Sequence, residues 1–314
     1  MTKKIAFVFP GQGSQSVGML SALGESAGVV QETFAEASQA LGADLWALAQ
    51  QGPEEKLNDT RWTQPALLTA GVATYRAWLA AGGPPPALVA GHSLGEYSAL
   101  VCAGALTLGD GVRLVAERGR LMQEAVPAGT GAMAAILGLE DDAVRAACAQ
   151  AAQGDVVEAV NLNAPGQVVI AGSRDAVARA IDACKAAGAK RAVALPVSVP
   201  SHCALMRPAA EQLAARLAAV ELAVPRVPVI NNVDVRVAAA ADEVRDALVR
   251  QLFSPVRWVE TVARLAAEGA GVIIECGPGK VLTGLNKRIA KDAECMCIQD
   301  PESLAAALGA ANGV

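Results

Sequence analysis

Aromatic side chains make up only 3% of this 314-residue chain, and histidine occurs just twice, at His92 and His202. The aromatic shortage argues against a base-stacking platform for nucleic acid. A formal charge of -5 at pH 7 argues against a basic face for phosphate backbones. No stretch approaches the roughly 18 consecutive apolar residues of a membrane-spanning helix. The apolar run after Met1-Thr2-Lys3-Lys4 is cut by Pro10-Gly11, too early for a signal-peptide core. Neither nucleic acid nor membrane is therefore an expected partner, and the cytoplasm is the expected location. Seven cysteines, an odd number scattered from Cys102 to Cys297, fit reduced thiols better than a disulfide framework. Cys276, Cys295 and Cys297 lack the second close pair or nearby histidine of a tetrahedral site, so no metal is expected.

What is abundant is apolar: 53% of residues are hydrophobic, enough for one large core with a smaller insertion. Ile5 to Phe9 and Ala87 to Ala90 read as buried strands, and the segment Gln64 to Ala81 as a helix stopped by Gly82-Gly83 and three prolines. The middle of the chain reads as strand 131–137, helix 140–152, strands 156–162 and 167–172, helix 173–187 and strand 190–195. That βαββαβ order is ferredoxin-like. Beyond it come a helix from Met206, a strand near 227–230, helices from Asp242 and Val259, and a strand at 272–275, an alternation that builds a parallel sheet covered on both faces. The expected architecture is α/β: residues 1–126 and 200–314 form a parallel-sheet core, and residues 127–199 an inserted ferredoxin-like subdomain.

Two glycine-rich loops resemble phosphate cradles without completing one. Gly11-Gln12-Gly13-Ser14-Gln15-Ser16 has serine where a dinucleotide loop needs its third glycine, and Gly277-Pro278-Gly279-Lys280 has Ile274 where a phosphate loop needs its first.

The stretch Gly91-His92-Ser93-Leu94-Gly95, between a strand and a helix, has the spacing of a nucleophile elbow, a turn so tight that the flanking residues must be small. Adjacent side chains diverge on such a turn, so His92 supports the turn or lines the pocket rather than reaching Ser93. A serine hydroxyl needs a base within hydrogen-bond reach, which leaves His202, in the proline-constrained loop Val199-Pro200-Ser201-His202. The oxyanion of a tetrahedral intermediate needs N–H donors; the elbow supplies Leu94, and the loop Gly11-Gln12-Gly13 is the best second candidate. In the helix from Gly109 to Val126, Arg113, Glu117, Arg120 and Glu124 form a charged stripe. Arg118 lies instead with Leu114, Val115, Leu121 and Met122. A buried guanidinium needs an anion, either an internal carboxylate or a carboxylate carried by the substrate.

Taken together, FVFPGQGSQ, GHSLGEYSAL, RLVAERGRLMQ, NAPGQVVIAG, SVPSH and ECGPGKVLTGL resemble the malonyl-CoA:acyl carrier protein transacylases of fatty acid synthesis, from end to end of the chain. The resemblance implies a hydrolase-like α/β core with a ferredoxin-like subdomain, and ping-pong transfer of malonyl from CoA to the phosphopantetheine thiol of acyl carrier protein. It implies Ser93 as the acylated nucleophile, His202 as base, Gln12 and Leu94 as oxyanion donors, and Arg118 as the grip on the malonyl carboxylate. It further implies that the backbone carbonyl of Gln251 orients the imidazole. No cofactor is implied, since the CoA thioester is substrate and the phosphopantetheine belongs to the carrier. Lys287, Arg288 and Lys291 form a basic cluster fit for an acidic carrier protein, or simply a solvated helix face. No association signal stands out, so a monomer is expected. The alternatives are a polyketide-synthase acyltransferase, a serine esterase or thioesterase, and a non-catalytic carrier-binding module.

Overall fold

The structure, a computed structural model, describes residues 3–197 and 199–312; Ser198 of the SVPSH stretch lies outside the described residues. Among the described residues nine strands form two sheets. Lys4–Phe9 (β1), Leu88–Gly91 (β2), Val229–Ile230 (β7), Ala270–Cys276 (β8) and Glu294–Ile298 (β9) make a parallel sheet in the order β7-β2-β1-β8-β9. Gly131–Leu137 (β3), Val157–Ala164 (β4), Gln167–Ser173 (β5) and Arg191–Ala194 (β6) make an antiparallel sheet in the order β4-β5-β3-β6. With its two helices, Asp141–Ala152 and Arg174–Ala186, the second sheet has the expected ferredoxin-like arrangement.

The parallel sheet is covered on both faces by helices, which is why its central strands are continuous apolar runs. Phe7 and Phe9 on β1 are completely buried, each contributing about 1.5 to 3 kcal/mol relative to an exposed ring. The scarce aromatics are concentrated here: Phe7 meets Tyr75 and Trp78 edge-on, at ring-centre distances of 5.7 and 5.3 Å.

Three sequence expectations are revised. The helix expected from Gln64 spans Thr60–Ala80, one turn earlier, because the Asp59 side chain caps it by accepting from the Arg61 N–H at 3.0 Å, and Pro65 is carried inside. The strand near 227–230 is only Val229–Ile230. The sheet is also extended past β8 by β9 and closed by the helix Pro301–Asn312, neither of which stands out in the sequence because β9 is short and built from Cys, Met and Glu. The Gly277–Lys280 stretch is the turn between β8 and the helix Val281–Ile289.

The antiparallel unit is stitched to the core by more than its two connections. The Leu162 N–H donates to the Val256 carbonyl at 3.0 Å, and the Val256 N–H returns a bond to Val160 at 2.8 Å. Arg288 donates to the Gln167 side chain and to the Pro165 carbonyl, both at 2.6 Å. Among the described residues no helix is long and apolar enough to cross a membrane.

Candidate active site

β2 ends at Gly91, and the helix Gly95–Cys102 begins four residues later. The corner is closed by the His92 N–H donating to Phe9 O at 3.0 Å and the Gly95 N–H to His92 O at 2.9 Å. A Cβ at Gly91 would run into the Gly95 carbonyl, and one at Gly95 into the Phe9 carbonyl, so both glycines are demanded by close backbone approach. Ser93, at the tip, takes φ 52°, the left-handed conformation that a side-chain-bearing residue avoids unless its surroundings over-determine it.

His202 also has a positive φ, 66°, and is held by its N–H to the Leu252 carbonyl at 3.0 Å. Its Nε2 lies 2.7 Å from Ser93 Oγ, and its Nδ1 donates to the Gln251 backbone carbonyl at 2.7 Å. The carbonyl fixes the tautomer: Nδ1 carries the proton and Nε2 is free to accept one. Burial foremost, with the Arg118 charge adding to it, pushes the imidazole down to about 3, so it is neutral at physiological pH. His92 does not compete. Its Nε2 pairs with Asn163 Oδ1 on β4 at 2.8 Å, and its ring tilts against Trp258. Cys203, next to the dyad, is a buried thiol pushed up to about 12, not a second nucleophile.

Arg118, on the helix Leu108–Glu124, is 1% exposed, while Glu117 and Glu124 pair with Arg120 on the outer face of that helix. Among the described residues no carboxylate lies within salt-bridge reach of it. It donates instead to the side-chain oxygens of Gln64 (2.9 Å) and Gln251 (3.0 Å) and, at 3.3 Å, to Ser93 Oγ; its Nε has no partner. Of the two sequence readings of its anion, the internal ion pair is therefore not found. The guanidinium is held by neutral amides beside the serine with its charge unspent, which suits a ligand's carboxylate.

Ser93, His202 and Arg118 open onto a cavity of about 270 Å³ that also includes Gln12 and Leu94 in its wall. Among the described residues the backbone N–H groups of Gln12 and Leu94 have no acceptor, so both remain free to donate. The antiparallel unit and its return loop supply the facing wall through Met133, Asn161, Leu195 and Val197. Among the described residues there is no cluster of metal-ligating side chains. Arg288 of the basic cluster is engaged by Gln167 and Pro165.

Sequence reasoning passed over the side chains of four buried polar residues, Gln251 having been singled out only for its backbone carbonyl. Gln64 and the side chain of Gln251 hold Arg118. Asn232 accepts from the Ser93 N–H at 2.7 Å and donates to the Gly91 carbonyl at 2.6 Å. Glu96 accepts from Gln251 Nε2 and from the Asn232 N–H, both at 2.9 Å. Burial pushes the Glu96 carboxyl up to about 7, against the opposing pull of those donors and of Arg118. None of the four carries a readable signal: three are neutral amides, and Glu96 is an acid in the first turn of its helix, where acids are ordinary.

A serine at a strand-turn-helix corner, paired with an imidazole across a cleft from a ferredoxin-like unit, fits the acyl transferase class, and the acyl transferase domain family matches residues 6–305. The malonyl CoA-acyl carrier protein transacylase of Escherichia coli strain K12 is 62% identical over 97% of this chain and 99% of its own length. An acyl carrier protein S-malonyltransferase from Vibrio cholerae superposes with a TM-score of 0.95 at 62% identity, covering 97% of this chain and 99% of that one. A malonyl-transacylase solved in complex with its type II PKS acyl-carrier protein gives a TM-score of 0.96 at 59% identity, with the same coverage. The chain belongs to the malonyl CoA-acyl carrier protein transacylase family.

Proposed function

We propose that this protein moves the malonyl group from malonyl-CoA to the phosphopantetheine thiol of acyl carrier protein, in fatty acid synthesis, through an acyl-enzyme on Ser93. The observation that carries this reading is the meeting of three groups at one oxygen: Ser93 Oγ sits 2.7 Å from His202 Nε2 and 3.3 Å from Arg118 Nη2. Neutral His202 takes the hydroxyl proton as Ser93 attacks the thioester carbonyl. The oxyanion is met by the N–H groups of Leu94 and Gln12, each worth roughly a hundred- to a thousand-fold in rate. Collapse expels CoA thiolate, which takes the proton from the imidazolium, and the same cycle runs in reverse with the carrier thiol.

In this reading Gln251 serves twice, its carbonyl steadying the imidazole and its side chain steadying Arg118. The malonyl carboxylate on Arg118 offsets the positive charge that opposes protonation of His202, so the correct substrate makes its own base stronger. No cofactor takes part. We take residues 127–199 as the inserted subdomain and 1–126 with 200–314 as the catalytic core, acting as a monomer in the cytoplasm. Lys287 and Arg288, exposed in the last turn of the helix Val281–Ile289, and the exposed Lys291 just beyond it are the proposed landing point for an acidic carrier.

The test is a full turnover with malonyl-CoA and holo carrier protein. Malonyl-carrier should form with ping-pong kinetics. Release of free malonate at the same rate would mark a thioesterase, and binding of carrier without any product would mark a binding module.

A further inference from the structure

We infer that Asn232 is a positioning residue for the nucleophile: its side-chain amide clamps the elbow and holds Ser93 in the left-handed conformation from which the hydroxyl meets His202. This rests on the reading of Ser93 as the acylated residue.

The two backbone groups flanking His92 pose opposite demands. The Ser93 N–H needs an acceptor and the Gly91 carbonyl needs a donor. A carboxamide offers both from one planar group, and Asn232 supplies them at 2.7 and 2.6 Å from a completely buried position. Aspartate would lose the donor, and an apolar residue would lose both.

Delivery follows from the sheet. β7 is only two residues long, and its register pairs Val89 with Val229 and Ala90 with Ile230. Continued by two positions, that register brings residue 232 level with residue 92, the middle of the elbow. The short edge strand thus sets one side chain against the turn. The clamp is itself tethered, since the Asn232 N–H donates to Glu96 Oε2, and the same oxygen accepts from Gln251 Nε2, which also donates to the Ser93 carbonyl at 3.0 Å. Gln251 in turn holds His202 through its carbonyl. One closed circuit of hydrogen bonds therefore ties the serine's backbone to its base. Because Asn232 occupies the Ser93 N–H, that group is not an oxyanion donor, leaving the work to Leu94 and Gln12.

The experiment measures single-turnover acylation of the full chain by malonyl-CoA, and separately by phenylmethylsulfonyl fluoride, an uncharged serine reagent that does not use Arg118. Asn232→Ala should slow both by about 100-fold, the scale of a misplaced reacting group, with KM for malonyl-CoA unchanged to within about twofold. Asn232→Asp, which keeps the acceptor and loses the donor, should fall between, about tenfold slow. A residue that only braces the fold would lower the melting temperature while the folded fraction reacted at the normal rate. Acylation of folded Asn232→Ala within about threefold of the unmodified chain would overturn the clamp, as would a loss carried by KM alone. If Asn232→Ala does not fold, the same thresholds applied to Asn232→Asp decide. Ser93→Ala separates the two ideas. If that variant still gains malonyl, the assignment of Ser93 has failed; if it gains none while the Asn232 variants react normally, only the clamp has.

Discussion

In the parallel sheet β2 is buried at every position and β1 at all but its first, whereas β3 and β4 of the antiparallel sheet interleave buried and half-buried residues. The difference maps onto the chemistry. Strands of a parallel sheet all end on the same side, so the loops after β1, β2 and β7 bring Gln12, Ser93 and Asn232 to one edge. The half-covered antiparallel sheet has a face to spare, and that unit supplies pocket wall, Met133 and Asn161, and an acceptor for the His92 ring, Asn163 Oδ1. Rate should therefore depend on the parallel sheet and its neighbours, and the antiparallel unit should bear mainly on fit and cohesion.

The largest expected effect breaks the dyad. His202→Ala should slow acylation by malonyl-CoA by roughly 10² to 10⁴, the usual worth of a positioned base, in quenched-flow measurements. A loss no larger than that of His92→Ala would mean the wrong imidazole has been assigned.

Next is the anchor. Arg118→Ala should reduce kcat/KM for malonyl-CoA relative to acetyl-CoA by about 10- to 150-fold, from a charge-assisted pair worth about 1.5 to 3 kcal/mol. Equal losses for the two acyl groups would remove the carboxylate from the account.

The third concerns pH. His202 sits at about 3, so its neutral, proton-accepting form persists as pH falls well below the ordinary imidazole value. Glu96, at about 7 and facing Arg118 and Asp234, is the group placed to titrate near neutrality. In Glu96→Gln that limb is absent, and acylation should stay level from about pH 8 to pH 5, whereas an ordinary imidazole would lose on the order of 30-fold over that span. A fall of that size in the variant would restore His202 to its normal value.

The smallest effect tests the seam. Asn163→Ala removes one hydrogen bond between the antiparallel unit and the elbow and should cost about 0.5 to 1.5 kcal/mol in urea unfolding. Its acylation rate should change by less than about threefold, and a loss as large as that of His202→Ala would mean the antiparallel unit shapes the chemistry itself.

Much of this was legible from residue patterns. The elbow is local: its glycines, its serine and its flanking strand and helix all lie between Leu88 and Cys102, and turn sterics dictate them. Arg118 announced itself as a charge on an apolar face, and His202 by the scarcity of imidazoles. The partners of these groups were not legible. Gln64, Asn232 and the Gln251 side chain are neutral amides, which upset no hydrophobic pattern, and they reach the site from 54, 139 and 133 positions away. The internal carboxylate expected as one possible partner of Arg118 proved to be two such amides, Gln64 and Gln251.

The central claim is that Ser93 carries the acyl group after reacting through His202. Intact-protein mass spectrometry on the chain mixed with malonyl-CoA, followed by peptide mapping, tests it most directly. A single malonyl adduct on the peptide containing Ser93, absent in Ser93→Ala and greatly slowed in His202→Ala, is the predicted result. An adduct mapped to any other side chain, or one that survives in Ser93→Ala, would contradict it.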